Sequence, residues 1–253
     1  LPRLLQSTAR RLARRSARGG LALSEARTLR DRARGALLGA AVGDAVGAPF
    51  EGSRGGARIA EQPPPPLLAY TDDTHMTIAL ARSLLACRGL DTEHLAQTFV
   101  EHYEAEPWRG YGPGPPRIFS LSRRGVPWQK ASVELYAGGS YGNGGAMRVA
   151  PVALAAGPSL DAVDRWARES ARITHAHELG MEGAALQACA LASLVHDLAD
   201  RPLRRETLLP MLRRYLQTDR FREALDRMAS LPADLDADRV ARLLGCGVEA
   251  MES

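Results

Sequence analysis

The sequence predicts an all-α fold, on three observations. Apolar residues recur at three- and four-residue steps from about residue 31 to the end of the 253-residue chain. No run alternates as a half-buried strand does, and β-branched residues are few. Helix-start residues and helix-stopping glycines bracket the periodic segments.

The first helix is expected over about Asp31–Ala48, where Ala33, Leu37, Ala40, Ala41, Asp44 and Ala45 recur at three- and four-residue steps between small glycines, which reads as a tightly packed, buried helix. Pro63 to Pro66 mark a loop. Thr74–Arg88 repeats Met76, Leu80, Leu84 and Cys87 before Gly89 supplies a stop. Asp91 reads as the cap of a helix carrying Leu95, Phe99 and Tyr103 on one side. Gly110–Pro116 reads as irregular. Further helices are expected over Ala146–Ala156, Ser159–Arg172, Glu178–Leu198, Glu206–Gln217 and Phe221–Ser230, with a last one opening near Asp238. No internal repeat and no second domain is evident.

Composition excludes several classes. With 45% hydrophobic and 25% charged residues the chain is globular rather than disordered, and it holds no apolar stretch of bilayer-spanning length. Cys87, Cys189 and Cys246 are odd in number and widely spaced, which fits neither a disulfide framework nor a metal knuckle, so a reducing compartment is inferred. The net charge of +4 is uneven: residues 1–34 carry ten arginines against Glu25 and Asp31, leaving the remainder with an acidic excess. Direct DNA binding by the domain is therefore not expected. Residues 1–30 read either as a mitochondrial transit segment, Arg-rich and dotted with serines, or as a basic disordered tail.

Three constellations carry candidate chemistry. Thr71-Asp72-Asp73-Thr74 stands directly before a helix. It reads as an N-terminal cap or as part of a hard-cation site, for which Glu51 is a further ligand. Gly138-Gly139-Ser140-Tyr141-Gly142-Asn143-Gly144-Gly145 places five glycines in eight positions ahead of a helix. Its consecutive N–H groups suit a phosphate or pyrophosphate, and a plain linker is the other reading; it lacks the Gly-Lys-Ser/Thr ending of a Walker loop. Arg148 reads as an assisting cation or a salt-bridge partner. His175 and His177, two apart, do not share a helical face and so do not form a zinc pair; His175 is a ligand contact or a capping histidine.

Together, Gly43-Asp44 with Glu51, Tyr70 to Met76, Arg109-Gly110-Tyr111-Gly112, Gly139 to Ala150 and Thr174-His175-Ala176 stand in the order of the ADP-ribosylglycohydrolases, which the chain resembles from about Arg34 onward. Arg109 to Gly112 and Ser140 to Gly145 resemble the branch acting on serine-linked and polymeric ADP-ribose. The resemblance implies a compact domain of orthogonal helices, two Mg²⁺ ions, and hydrolysis of ADP-ribosyl-serine, poly(ADP-ribose) or O-acetyl-ADP-ribose at the anomeric carbon. It implies ADP-ribose and ADP-ribosylated proteins as partners, a monomer, and DNA-damage repair in nucleus and cytoplasm, with the mitochondrial matrix as a further compartment.

By matching residues, the resemblance makes Glu51, Thr71, Asp72 and Asp73 metal ligands and Glu51, Asp72 and Asp73 catalytic. It makes Asp72, Gly138, Gly139, Ser140, Tyr141, Gly142, Asn143, Gly144 and His175 substrate contacts. Two positions depart from the family. Its adenine-packing aromatic falls at Leu135, with Tyr136 adjacent, and its second acidic motif, Asp-x-Asp-Thr, is not found after Glu206. The start at Leu1 and the final Gly247 to Ser253, which resembles the family's interior, lead to the expectation of a fragment lacking about the last quarter. The alternative is an inactive ADP-ribose binder, and a pyrophosphate-cleaving hydrolase is a third reading.

Overall fold

A computed structural model describes residues 22–51, 68–196 and 204–251, apart from Ala233, Asp236, Cys246 and Val248. The expected basic first segment up to residue 21 and the loop at Pro63–Pro66 lie outside the described residues. Among the described residues twelve α-helices follow one another: α1 (Ala22–Gly47), α2 (Asp72–Cys87), α3 (Thr92–Ala105), α4 (Gly114–Arg123), α5 (Trp128–Glu134), α6 (Gly144–Met147), α7 (Ala150–Ala155), α8 (Leu160–Arg172), α9 (Glu178–Val195), α10 (Arg205–Arg213), α11 (Asp219–Ser230) and α12 (Ala237–Leu244). The all-α expectation holds. Among the described residues, strand-like pairing is confined to one bridge between Gly142 and Glu249, and no helix is long and apolar enough to cross a membrane.

The axis of the fold is α9. Its small residues Gly183, Ala184, Ala185, Ala188 and Ala192 are buried along with Leu179, Leu186 and Val195, so it is covered on most sides, as a helix apolar all round must be. It packs against α8, α6, α7, α1 and α10. The principal core adds Met76, Leu80 and Leu84 from α2, Leu95 and Phe99 from α3, and Val163 and Ala167 from α8. A smaller cluster of Leu29, Ala33, Leu154 and Val195 fastens α1 to α7 and α9.

Several boundaries differ from the sequence expectation, each for a local reason. Helix α1 starts at Ala22 rather than near Asp31, so residues 22–30 belong to it; it is not the buried helix expected, since Leu29, Ala33 and Ala45 are buried while Leu38 and Val42 are exposed and Gly35, Gly39 and Gly43 face open space. The left-handed residue ending α2 is Arg88, at φ 55°, while Gly89 donates its N–H to the Leu84 carbonyl at 3.2 Å. The stretch from 110 onward, expected to be irregular, contains α4, whose first turn takes Pro115 and Pro116 because prolines there forfeit no helical hydrogen bond. The expected helix Ala146–Ala156 is two helices, broken at Arg148 and Val149. Pro151 has no N–H to continue the ladder and sits instead in the first turn of α7.

Caps are supplied both locally and from a distance. Asp91 accepts from the His94 N–H at 3.0 Å, and Ser159 from the Ala162 N–H at 3.4 Å. Glu182, wholly buried on α9, accepts from the backbone N–H groups of Gln217 and Thr218 and from the Thr218 hydroxyl, which fixes the start of α11. Removing it leaves buried donors unpaired. Glu182→Ala is expected to destabilise the fold by about 3 kcal/mol, read as a lower denaturation midpoint in urea.

Candidate functional site

The site begins with Asp44, near the C-terminal end of α1. Its carboxylate accepts from the Thr71 N–H at 2.9 and 3.0 Å, the Thr71 hydroxyl at 2.6 Å, the Thr74 N–H at 3.0 Å and the Thr74 hydroxyl at 2.5 Å. Thr71, the residue before α2, makes no side-chain cap of its own. Asp44 therefore caps α2 from another helix, and its charge complements the positive end of that helix dipole. A 3₁₀ turn, Ala48–Phe50, with Pro49 then delivers Glu51 to the same spot, where the Thr71 hydroxyl lies 3.4 Å from its Oε1.

Asp44, Glu51 and Asp73 bring carboxylate oxygens within 4.8 Å of one another. The crowding shows in their acidities. Asp73 is pushed up to about 6, by desolvation first and then by Asp44 and Glu51. Burial and Asp44 raise Glu51, against a lowering by the Thr71 hydroxyl. Asp72, 9% exposed, is pushed up to about 7 by burial and by Asp73, Glu51 and Asp44, but it is not part of the three-carboxylate cluster. Three converging carboxylates, of which Glu51 and Asp73 hold their protons more tightly than usual, suit a hard divalent cation, which relieves both desolvation and repulsion.

Of the residues the sequence nominated, the structure thus unites Glu51 and Asp73, turns the Thr71 hydroxyl to Asp44 and sets Asp72 beside the cluster. Sequence reasoning gave no role to Asp44. Its signal was a lone acid in a helix otherwise small and apolar at that end.

The glycine loop lies against residues 175–180. At Gly139, φ is 94° and an added Cβ would stand 2.5 Å from the His177 backbone nitrogen. At Gly144 it would stand 2.3 Å from His175 Cε1. Gly138 is also left-handed, at φ 83°. The His177 N–H donates to the Ser140 carbonyl at 3.3 Å, the Gly142 N–H to Ser140 Oγ at 3.2 Å, and the Ala250 N–H to the Tyr141 carbonyl at 3.0 Å. Tyr141 stays exposed with its ring edge-on to His177, centroids 5.4 Å apart. Helix α6, which follows Asn143, has four residues, so an anion on the loop must rely on loop N–H groups rather than on a long helix dipole.

His175 is 6% exposed, its ring beneath Gly142 and Gly144, and burial together with Arg148 pushes it down to about 3, so the imidazole is neutral. Arg148 is fully buried with no carboxylate in salt-bridge range among the described residues, which corrects its reading as a salt-bridge partner. Tyr136, beside Leu135, is exposed and faces Gly114, whose added Cβ would lie 3.4 Å from the ring.

A cavity of about 590 Å³ is lined by Asp44, Asp73, Thr74 and Thr77, by Asn143 of the glycine loop with Ala146 and Met147, and by apolar residues such as Leu186, Leu212 and Phe221. The family model for ADP-ribosylglycohydrolase matches residues 25–253. The chain belongs to the ADP-ribosylglycohydrolase family. The ADP-ribosylhydrolase ARH3 of Bos taurus is 41% identical over 185 residues, covering 63% of this chain and 48% of its own length. That of Homo sapiens is 40% identical over 179 residues, 63% and 49% respectively. The ADP-ribosyl-[dinitrogen reductase] glycohydrolase of Rhodospirillum rubrum is 30% identical, over 83% of this chain and 82% of its own. A solved structure titled ADP-ribosylglycohydrolase-related protein complex superposes with a TM-score of 0.63 at 25% identity, over 89% of this ADP-ribosylglycohydrolase chain and 84% of the other. The chain spans about half the length of the ARH3 relatives it matches.

Two measurements follow from this geometry. Asp72 and Asp73 hold protons more tightly folded than unfolded, where their ordinary value is 3.8, so the metal-free fold is stabilised by them at low pH and loses that stability as pH rises from about 4 to 7. The melting temperature without metal is expected to fall across that window. Added Mg²⁺ is expected to raise it more at pH 8 than at pH 5, and Asp44→Asn to reduce that gain. Gly144→Ala, which drives a methyl into the His175 ring, is expected to cost about 2 kcal/mol in denaturant unfolding with helical content retained.

Proposed function

We propose that this chain is the ADP-ribose- and metal-binding body of a Mg²⁺-dependent hydrolase that releases ADP-ribose from modified serine and cleaves poly(ADP-ribose) or O-acetyl-ADP-ribose at the anomeric carbon. The observation that carries this reading is the single cavity shared by Asp44 and Asp73 with Asn143 of the glycine loop. A diphosphate seated on the loop N–H groups directs its ribose toward the acids.

Asp44, Glu51 and Asp73 would hold Mg²⁺, with Thr71 completing the oxygen environment; the hard oxygen donors fit it, as do the raised pKa values of Glu51 and Asp73. When bound, the ion supplies electrophilic polarisation and a template for ribose hydroxyls. The chain's own residues supply the rest. Asp72 contacts the ribose, Gly138 to Gly144 cradle the diphosphate, and His175 supports a ligand oxygen. Water adds to the anomeric carbon as the bond to the serine oxygen breaks. Glu51, the most exposed carboxylate of the cluster, accepts the proton of that water and passes it to the departing serine oxygen, which leaves as the hydroxyl. The passing oxocarbenium character is stabilised by the surrounding carboxylates.

The same reading places the protein in nucleus and cytoplasm, and in the mitochondrial matrix if the first segment is a transit peptide. It makes the protein a monomer that meets ADP-ribosylated proteins rather than DNA. A second reading, an ADP-ribose binder without turnover, is favoured by one observation: the described residues gather three carboxylates where Mg²⁺ takes about six oxygens.

A serine-ADP-ribosylated peptide decides between them. ADP-ribose release that requires Mg²⁺, stops with EDTA and falls about 100-fold in Glu51→Gln with binding preserved is the expected result. Binding without release establishes the binder, and release of AMP a pyrophosphate-cleaving enzyme.

A further inference from the structure

We propose that Arg148 and Thr174 form a buried relay that fixes His175 as an Nε2–H donor beneath the glycine loop, aimed at an oxygen of the ligand held there. The inference rests on the reading that the loop binds ADP-ribose, and it adds two positioning residues to that site.

The starting observation is a buried cation with no carboxylate in ion-pair range among the described residues. Arg148 is 0% exposed, its guanidinium lies 4.5 Å over the Phe99 ring, and its Nε has no hydrogen-bond partner. One terminal nitrogen reaches Met76 Sδ at 3.5 Å; the other donates to the Ser170 carbonyl at 3.2 Å and to Thr174 Oγ1 at 2.8 Å. A buried charge without a carboxylate partner is costly, so its strongest neutral contact is the informative one.

That contact fixes the direction of the chain of bonds. Arginine only donates, so Thr174 Oγ1 accepts from it. Thr174 is 1% exposed, and among the described residues the acceptor in reach of its single hydroxyl proton is His175 Nδ1, at 2.8 Å. Nδ1 is then the unprotonated nitrogen. Because the imidazole is neutral, its one proton sits on Nε2. That nitrogen makes no hydrogen bond to the described residues, and it lies 2.7 Å from where a Gly144 Cβ would stand and 3.4 Å from that of Gly142. Glycine at both positions lets the loop backbone lie directly against the ring, so a ligand held by the loop is within reach of the donor. Without the relay the ring is free to carry its proton on Nδ1, and Nε2 then meets that oxygen lone pair to lone pair.

The test is ¹⁵N NMR of the histidine rings, with the His175 signal assigned by its loss in His175→Gln, alongside calorimetric titration with ADP-ribose. The wild-type chain is expected to show the Nε2–H form. In Thr174→Val that form is expected to give way to Nδ1–H, with affinity for ADP-ribose falling about tenfold. Thr174→Ser, which restores the hydroxyl, is expected to return both. An Nδ1–H ring in the wild type overturns the proposal, as does a Thr174→Val chain that keeps both tautomer and affinity. Should Thr174→Val not fold, the wild-type tautomer alone decides. An Nε2–H ring in a chain that takes up no ADP-ribose would overturn the aim at a ligand through failure of the functional reading, while the relay itself would stand.

Discussion

One carboxylate holds the site together. Asp44 bridges the end of α1 to the start of α2, taking two backbone N–H groups and two hydroxyls that would otherwise lie unpaired at a helix terminus. The same bridge sets the first turn of α2, and so the direction of Asp72 and Asp73. The acids are therefore brought together by the packing of two helices rather than by their own attraction, which is repulsive. The unfavourable electrostatics is built into the fold and is what gives the cluster its appetite for a cation.

The glycine loop obeys a different constraint, that of space. Its backbone lies so close to residues 175–177 that side chains at Gly139 or Gly144 would collide with backbone or ring. The acids tolerate variation in how they are reached, because a carboxylate oxygen has several acceptor directions. The loop has no such latitude. Arg148 and Thr174 extend this rigidity inward, tying the loop's floor to α2 through Met76 and to α8 through Ser170.

How much of this the sequence discloses depends on how local the cause is. Helices α3, α8 and α9 were readable because their caps and apolar stripes lie within their own residues. Helices α4 and α5 were not, since each is short and α4 opens on prolines that look like loop punctuation. The break at Arg148 was signalled by Pro151, yet the buried fate of Arg148 was not, because it depends on Thr174 and Phe99, both distant in sequence. In the site, Glu51 and Asp73 were legible as oxygen ligands around a helix start and again through the motif resemblance, whereas Asp44 acquires its meaning only through hydrogen bonds spanning the loop from α1 to α2. Residues acting through a neighbouring element leave little trace in their own surroundings.

The pairing of Gly142 with Glu249, with the Ala250 N–H on the Tyr141 carbonyl, joins the loop to a segment far along the chain. Ala250 is itself buried against α9, where an added Cβ on Gly183 would meet it at 2.8 Å. The loop's shape and the docking of residues 249–251 are thus one cooperative event. During synthesis the glycine loop cannot take its final form when its own residues emerge, but only after about another hundred have followed and the late segment has found α9. Conversely, by reciprocity of linked equilibria, anything that binds the finished loop tightens a stretch of chain it never touches.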